Sequence, residues 1–304
     1  MLFRVVWVSM KLSPKQIAGF QKTIRQFYEK GGRRFPWRPP SSATGGLRKD
    51  GTGDPYAILV SEVMLQQTQA ERVIPKYLEW MKRFPTLESL AKASVADVLK
   101  KWQGLGYNRR ALNLKRAAEI LMRDYGGVIP QDIEKIDVLP GVGPYTAGAV
   151  VAFAFNIPSV LIETNIRTVY LHFFFKNRSR VVDSEILELI AKTLPTRKLK
   201  VQPLSRFEVE PLKIREWYSA LMDYGAMLKK TEGNTNVQSA QYTTQSKFKG
   251  SRRQLRGAIL RKAATQKSVR LKDFSSNTFS VLDVVTELVR EGFLRKDKHS
   301  FTLA

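Results

Sequence analysis

Helical periodicity governs this chain from Ser13 onward, and alternating strand patterns are nearly absent until its last dozen residues. Apolar residues that recur every three or four positions put a stripe on one face of a helix. A chain made of such segments closes its core by packing helix on helix. The stripe Ile17, Phe20, Ile24 and Phe27 predicts a helix over Ser13–Lys30, with Ser13 as cap and Pro14 in the first turn. The same spacing predicts helices at Asp54–Gln67, Ala70–Arg83, Thr86–Ala91, Val95–Trp102, Asn108–Tyr125, Gln131–Val138, Tyr145–Ala154, Thr164–Phe174, Ser184–Thr193 and Lys213–Leu228. Several open on Ser, Thr, Asp or Asn, whose side chains accept from the orphan N–H groups of a first turn. The body is therefore expected to be all-α, with the polar Gly/Ser/Thr-rich stretch Pro39–Asp54 as a loop.

Charge narrows what such a body does. Against 27 Asp and Glu stand 51 Lys and Arg, a formal net charge of +24, which calls for a polyanionic partner. At 43% hydrophobic the chain has enough apolar residues for a sizeable core, so it is not a disordered basic protein. A membrane surface is the weaker partner. The most apolar run, Ala147–Ile162, is interrupted by Asn156 and Pro158 and is too short to cross a bilayer. Met1–Met10 lacks the apolar core and cleavage site of a secretory signal, and Met10 is a second candidate start. The expectation is a soluble protein of the cytoplasm and nucleoid, or of the nucleus in a eukaryote. The chain has no cysteine, which excludes a disulfide framework, a thiolate nucleophile, Cys-held zinc and a cysteine-ligated iron–sulfur cluster. Its two histidines, His172 and His299, are too far apart in sequence to suggest a metal site.

Composition changes at Lys229. From there to Gln245 the chain is polar and poor in large aliphatics, which reads as a linker or extended arm. Beyond it come an amphipathic stretch Arg252–Ala264, a second at Ser280–Glu291, then two short alternating segments, Phe293–Arg295 and Ser300–Leu303, around Lys296–His299. Helix, helix and terminal hairpin is the order of a winged helix-turn-helix. Residues 229–304 hold 16 Lys/Arg against 6 Asp/Glu, so the tail is denser in positive charge than the body. The expected organisation is a body at 11–228, a basic linker at 229–250 and a winged-helix-like DNA-binding domain at 251–304.

The run Leu139-Pro-Gly-Val-Gly-Pro-Tyr-Thr146 lies between a short helix and an apolar one. Gly141 and Gly143 on either side of Val142 let the main chain turn sharply and aim N–H groups outward beside the positive end of the next helix, an arrangement suited to phosphate. An ordinary turn between core helices is the plain alternative; the basic chain favours phosphate.

Further motifs stand in a specific order: Phe35-Pro-Trp-Arg38, then Asp54-Pro-Tyr, Val60-Ser-Glu-Val-Met-Leu-Gln-Gln-Thr-Gln69, Trp102-Gln-Gly-Leu-Gly-Tyr107 with Ala111-Leu-Asn-Leu114, the hairpin, and Met222-Asp-Tyr-Gly-Ala-Met227. In this order they resemble the MutY-like adenine DNA glycosylases of the helix-hairpin-helix superfamily, which also holds endonuclease III. The likeness covers about residues 13–228. It implies a two-lobed all-α glycosylase fold with the small α+β tail appended, a double-stranded DNA partner carrying a mismatch or lesion, and action as a single chain.

Breaking an N-glycosidic bond passes through an oxocarbenium-like state, so it needs an acid for the departing base and an anion beside the sugar. The base must first leave the stack. Glu62, flanked by Val60, Val63 and Met64, has the apolar setting that raises a carboxyl pKa and keeps a proton available; an exposed helix acid is the plain alternative. By resemblance it protonates the purine ring nitrogen and then handles the water. The resemblance expects an Asp some twenty residues after the hairpin, where this chain has Glu163, followed by the family's Asn at Asn165. Glu163 is then the sugar-facing carboxylate, or only the cap of the Thr164 helix. Where bifunctional relatives carry a Schiff-base Lys, this chain has Tyr145, which implies base removal without strand cleavage and an aromatic lining the pocket. Gln67 and Tyr107 match residues that wedge into the duplex, and Arg38 belongs to the DNA-contacting set.

Two departures follow from the comparison with that family. Its four cysteines after the Asp-Tyr-Gly-Ala-Met region are replaced from Lys229 and Lys230 onward, so the cluster is lost; Lys229, Lys230, Lys247 and Lys249 are expected at phosphates. No cofactor is expected beyond a monovalent cation at the hairpin. Its carboxy-terminal domain for 8-oxoguanine is replaced by the winged tail. The leading expectation is excision of adenine opposite guanine or 8-oxoguanine. Two rivals remain: a thymine or uracil glycosylase at mismatches with guanine, which Tyr145 allows, and a non-catalytic lesion or mismatch sensor, which the change of Asp to Glu allows.

Overall fold

The computed structural model describes residues 10–38, 53–195, 213–266, 268–276 and 278–304. The expected start at Met1–Met10, all but its last residue, and the expected loop at Pro39–Asp54, all but its last two, lie outside the described residues. The chain divides into two compact units, one of residues 1–34 with 147–243, the other of 35–146 with 244–304. Each unit is thus assembled from segments distant in sequence.

The first unit is helical. Helix α1 (Pro14–Glu29) starts on a Ser13 capping box with Gln16. It packs with α9 (Thr164–Phe174), α10 (Asp183–Thr193) and α11 (Ile214–Thr231). Phe20 anchors this core edge-on against Tyr170, Phe173, Phe174 and Trp217, at 5.4, 5.1, 5.1 and 5.7 Å between ring centres. Burying a ring of this size contributes roughly 1.5–3 kcal/mol, and edge-on pairs add to that.

The stretch from Lys229 is not a free arm. Helix α11 runs on to Thr231, and a short 3-10 turn, Thr235–Gln238, packs on α9. There the buried Asn236 amide donates to Thr168 Oγ1 at 2.8 Å and to the Thr164 carbonyl at 3.2 Å. Val181 and the chain around Ser239 exchange two main-chain bonds, at 2.9 and 2.8 Å. A segment poor in aliphatics is fixed here by polar bonds, which apolar periodicity does not register.

The second unit holds α2 (Pro55–Leu65), α3 (Ala70–Arg83), α4 (Leu87–Ala91), α5 (Val95–Trp102), α6 (Arg109–Tyr125) and α7 (Ile133–Asp137), and its core includes Trp80 of α3 and Trp102 of α5, 5.4 Å apart and both fully buried. Asp54 caps α2 by accepting from Tyr56 and Ala57 N–H. Helix α8 (Pro144–Phe155) begins in this unit, and the boundary falls inside it at Ala147.

The tail belongs to the same unit. It comprises α12 (Arg252–Thr265), α13 (Val281–Arg290) and an antiparallel hairpin of β1 (Leu294–Asp297) with β2 (Ser300–Leu303). Val269 adds a rung by exchanging two 2.8 Å bonds with Phe301, so the tail is a small α+β unit as expected. The first strand lies slightly later than expected, because Phe293 is spent on the core, 1% exposed, with its N–H bonded to the Leu288 carbonyl. The tail rests on α5 through α12, and Arg109 pairs with Glu291 at 2.6 Å.

Candidate active site

In the second unit every residue of α2 from Pro55 to Met64 is buried, Glu62 among them at 7% exposure. A helix buried on all sides leaves its one carboxyl little water, so Glu62 is not the exposed helix acid of the plain alternative. The hairpin joins α7 to α8 by a tight turn in which Val142 N–H bonds the Leu139 carbonyl at 3.1 Å. Gly141 takes φ 74°, and a side chain there would strike Asn113. Gly143 is not in the left-handed region and has open space around its Cβ position, so the turn requires the first glycine and not the second. Val142 is buried, and Tyr145 is half-buried in the first turn of α8. Gln66, at the end of α2, donates to the Gly141 carbonyl and to Thr146 Oγ1, both at 3.3 Å, which ties the hairpin to the helix carrying Glu62.

Gln67 and Tyr107 are exposed and take φ 55° and 46°, a region that side-chain-bearing residues rarely adopt and that is held at a cost of about 1–3 kcal/mol. What holds them is Arg110, which sequence reasoning missed. Its guanidinium is buried and donates to the carbonyls of Val63, Met64, Gln66, Leu105 and Gly106 and to Thr68 Oγ1. Burial pushes its pKa down to about 10, which leaves it charged at neutral pH. The only signal in the sequence is a basic residue on the apolar side of α6, and a basic residue ordinarily reads as a solvent face. The tail also reaches these tips. The Tyr107 hydroxyl accepts from Arg253 Nη1 at 2.5 Å and from the Gln245 amide, and that amide is 3.5 Å from Gln67 Oε1. Arg38 lies over the Phe35 ring at 4.9 Å, beside a stacked Phe35–Trp37 pair.

In the first unit Glu163 is the cap of α9. Its Oε1 accepts from Asn165 and Ile166 N–H at 2.7 and 2.8 Å, and its Oε2 from the Asn165 amide at 3.2 Å. The capping role is therefore real. Burial raises the Glu163 pKa against the opposing pull of those N–H bonds, Lys229 and Arg167. The Lys229 ammonium, expected at a phosphate, donates here to Thr164 Oγ1 at 2.8 Å and Asn165 Oδ1 at 2.9 Å. Burial lowers its pKa, opposed by Glu163. Lys230, Lys247 and Lys249 are exposed.

One turn before Lys229, Gly225 lets α11 approach α9 so closely that a Cβ would run into the Asn165 main-chain carbonyl. Gly225→Ala is expected to cost about 2 kcal/mol, as overpacking against backbone does. Thermal denaturation beside wild type measures this; an unchanged midpoint would mean that the α9 backbone yields freely.

The structure thus gathers Glu163, Asn165 and Lys229 in one unit, and Glu62, Tyr145, the hairpin, Gln67 and Tyr107 in the other. A cysteine-ligated cluster does not fit a chain without cysteine, and among the described residues no group of three or more His, Asp or Glu could hold a metal ion. Among the described residues no helix is long and apolar enough to cross a membrane.

Residues 60–195, which include Glu62, Tyr145, Glu163 and Asn165, match the HhH-GPD superfamily of base excision DNA repair proteins. An adenine DNA glycosylase of Mycobacterium tuberculosis is 44% identical over 143 residues, 47% of this chain and 43% of that protein. One from Buchnera aphidicola is 33% identical over 210 residues, 69% of this chain and 52% of its own length. The chain thus spans about half the length of these curated relatives. A thermostable thymine-DNA glycosylase of known structure superposes with a TM-score of 0.55 at 27% identity, over 70% of this chain and 87% of that one. The chain belongs to the HhH-GPD superfamily of base excision DNA repair proteins, in its MutY-like branch.

Proposed function

We propose that the chain is a monofunctional DNA glycosylase of base excision repair, which hydrolyses the N-glycosidic bond of adenine mispaired with guanine or 8-oxoguanine in duplex DNA. The observation that carries this reading is the buried Glu62 carboxyl, in a stretch that matches the superfamily and in a chain whose relatives are named adenine DNA glycosylases. An apolar side chain would fill that place in α2 at lower cost, so a carboxyl kept there points to chemistry.

The roles follow from the charges the reaction develops. Protonated Glu62 gives its proton to a purine ring nitrogen, and the glycosidic pair leaves with the base. Ionised Glu163 offsets the sugar cation that remains, with Asn165 and Tyr145 shaping the site. Water then adds to the anomeric carbon, and its proton returns to Glu62. The products are free adenine and an abasic site. A phenol cannot form an imine with that sugar, so Tyr145 supports hydrolysis without strand cleavage. Gln67 and Tyr107, strained and exposed, suit insertion beside the extruded base. The hairpin Gly141-Val142-Gly143 and the basic side chains Arg38 and Lys230 suit phosphates. The protein then acts as a single chain wherever the genome lies.

Single-turnover assays on duplexes with A opposite 8-oxoguanine, A opposite G and T opposite G, developed with and without alkali, test this. Free adenine is expected from the first two, with strand breaks only after alkali. Breaks before alkali would end the monofunctional assignment, release of thymine alone would reassign the base, and no release from any duplex would leave a binding protein.

A further inference from the structure

The geometry at the start of α9 points to a task for Lys229. We propose that Lys229 is a positioning residue that, through the side-chain amide of Asn165, holds the Glu163 carboxyl as an ionised hydrogen-bond acceptor. The inference rests on the role proposed above for Glu163 as the anion beside the sugar.

The argument is one of donors and acceptors. An ammonium can only donate. The Lys229 ammonium lies 2.9 Å from one end of the Asn165 amide and 2.8 Å from Thr164 Oγ1, so the amide oxygen must face it. That fixes the flip of the amide and turns its NH2 toward Glu163 Oε2, at 3.2 Å. The other carboxyl oxygen already accepts from two main-chain N–H groups at 2.7 and 2.8 Å. Among the described residues every polar group bonded to the Glu163 carboxyl is therefore a donor. A carboxylate is a stronger acceptor than a carboxylic acid, so all three bonds favour the anion.

The surrounding charges leave this task to Lys229. Arg167, on α9, is the other cation acting on Glu163, but Asp183 binds it in a two-point pair at 2.8 and 2.7 Å. Lys229 is half-buried, and Glu163 is the carboxylate that favours its charge. Burial works the other way on Glu163, raising its pKa, so without a cation the carboxyl would retain its proton into the pH range where the sugar cation needs an anion. Two further features hold Lys229 in place. Gly225, one turn earlier, admits the close approach of α11 to α9, and Asn236 bonds the Thr164 carbonyl and Thr168.

Two measurements test this on the full chain. In single-turnover excision of A opposite G followed against pH, Lys229→Met is expected to move the acid limb up by about one pH unit. On the acid side of the limb the rate then falls by up to about tenfold, and on the alkaline plateau it stays within about threefold of wild type. Lys229→Arg, which keeps the charge, is expected to restore the limb. The second measurement needs no activity. The stability difference between wild type and Lys229→Met should widen as pH rises from about 4.5 to 7.5, because the ion pair exists only once Glu163 has ionised. In a Glu163→Gln background that difference should be the same at every pH. Lys229→Gln, which keeps a hydrogen-bond donor without the charge, covers the case in which the Met variant does not fold, and should shift the limb in the same direction. An unmoved limb, equal loss at all pH values, or a stability difference independent of pH in the Glu163 protein would overturn the proposal. Full activity of Glu163→Gln would instead remove the sugar-facing role, while the stability measurement still tests the ion pair.

Discussion

Glu62→Gln is expected to lower single-turnover excision of adenine by about 10³-fold, while the folded protein and its affinity for a duplex with an uncleavable adenine analogue stay near wild type. General acid–base catalysis by one positioned group contributes about 10²–10⁴-fold, and Glu62 is assigned both the proton for the base and its recovery from water. Gln has the shape of Glu and no proton to give. Because α2 is buried on every side, an isosteric change is the one that leaves its packing intact. The loss should therefore appear in the chemical step and not in binding. The control is the pH profile: the residual rate of the Gln variant should no longer depend on a protonated group. A variant within tenfold of wild type would show that the proton comes from elsewhere, and the reading of α2 as a catalytic helix would fall with it. Glu163→Gln should also slow excision, but by less, because its cap on α9 survives partly in an amide oxygen.

Much of this was legible in the residues. Helices α3, α5 and α9 have the bounds that apolar spacing and caps predict, and the tail follows its helix, helix and hairpin order. These features are local, and local periodicity registers them. What escaped is what long-range polar bonds decide. Lys229 was read from the place where the family's cysteines begin, and that reading had no access to the bonds that α11, passing Gly225, lets it make at the start of α9. Lys229–Gln245 read as an arm because it is poor in aliphatics, whereas Asn236 and the bonds of Val181 fix its part up to Ala240 to the first unit. The ion pairs of Glu287 and Glu291 with Arg252 and Arg256, which join the two helices of the tail, are likewise invisible to apolar spacing. Glu163 was open between anion and cap, and the two are compatible: the N–H bonds that make it a cap also favour its charge. The division into units built from distant segments has no local signature at all.

Arg110→Met is expected to cost about 3–4 kcal/mol in the second unit, a fall in melting midpoint of roughly 10 °C for a unit of this size. The guanidinium serves two loops at once. Its Nη1 bonds the Val63 and Met64 carbonyls at 2.9 Å each and Gln66 at 2.5 Å, where the end of α2 leaves carbonyls without helical partners. Its Nη2 bonds Thr68 Oγ1 at 3.1 Å and the Leu105 and Gly106 carbonyls at 3.2 and 3.1 Å. The planar fork also lies over the rings of Trp102 and Tyr107, at 5.3 and 5.6 Å. Met fills much of the volume and returns none of these bonds, so buried carbonyls lose their donor. Lysine keeps the charge but is a point donor without the fork, and Arg110→Lys should recover less than half of the loss. Function should fall further than stability alone explains. Gln67 and Tyr107 hold left-handed conformations only while the chain on either side is pinned, and a displacement of about 1 Å is enough to cost about 100-fold in rate. Below its melting range Arg110→Met should therefore excise adenine about 100-fold more slowly from duplex DNA. A midpoint within about 2 °C of wild type would show that the bonds to α2 and the Leu105–Gly106 loop carry little energy. A normal rate in a destabilised variant would show that Gln67 and Tyr107 do not depend on Arg110 for their place.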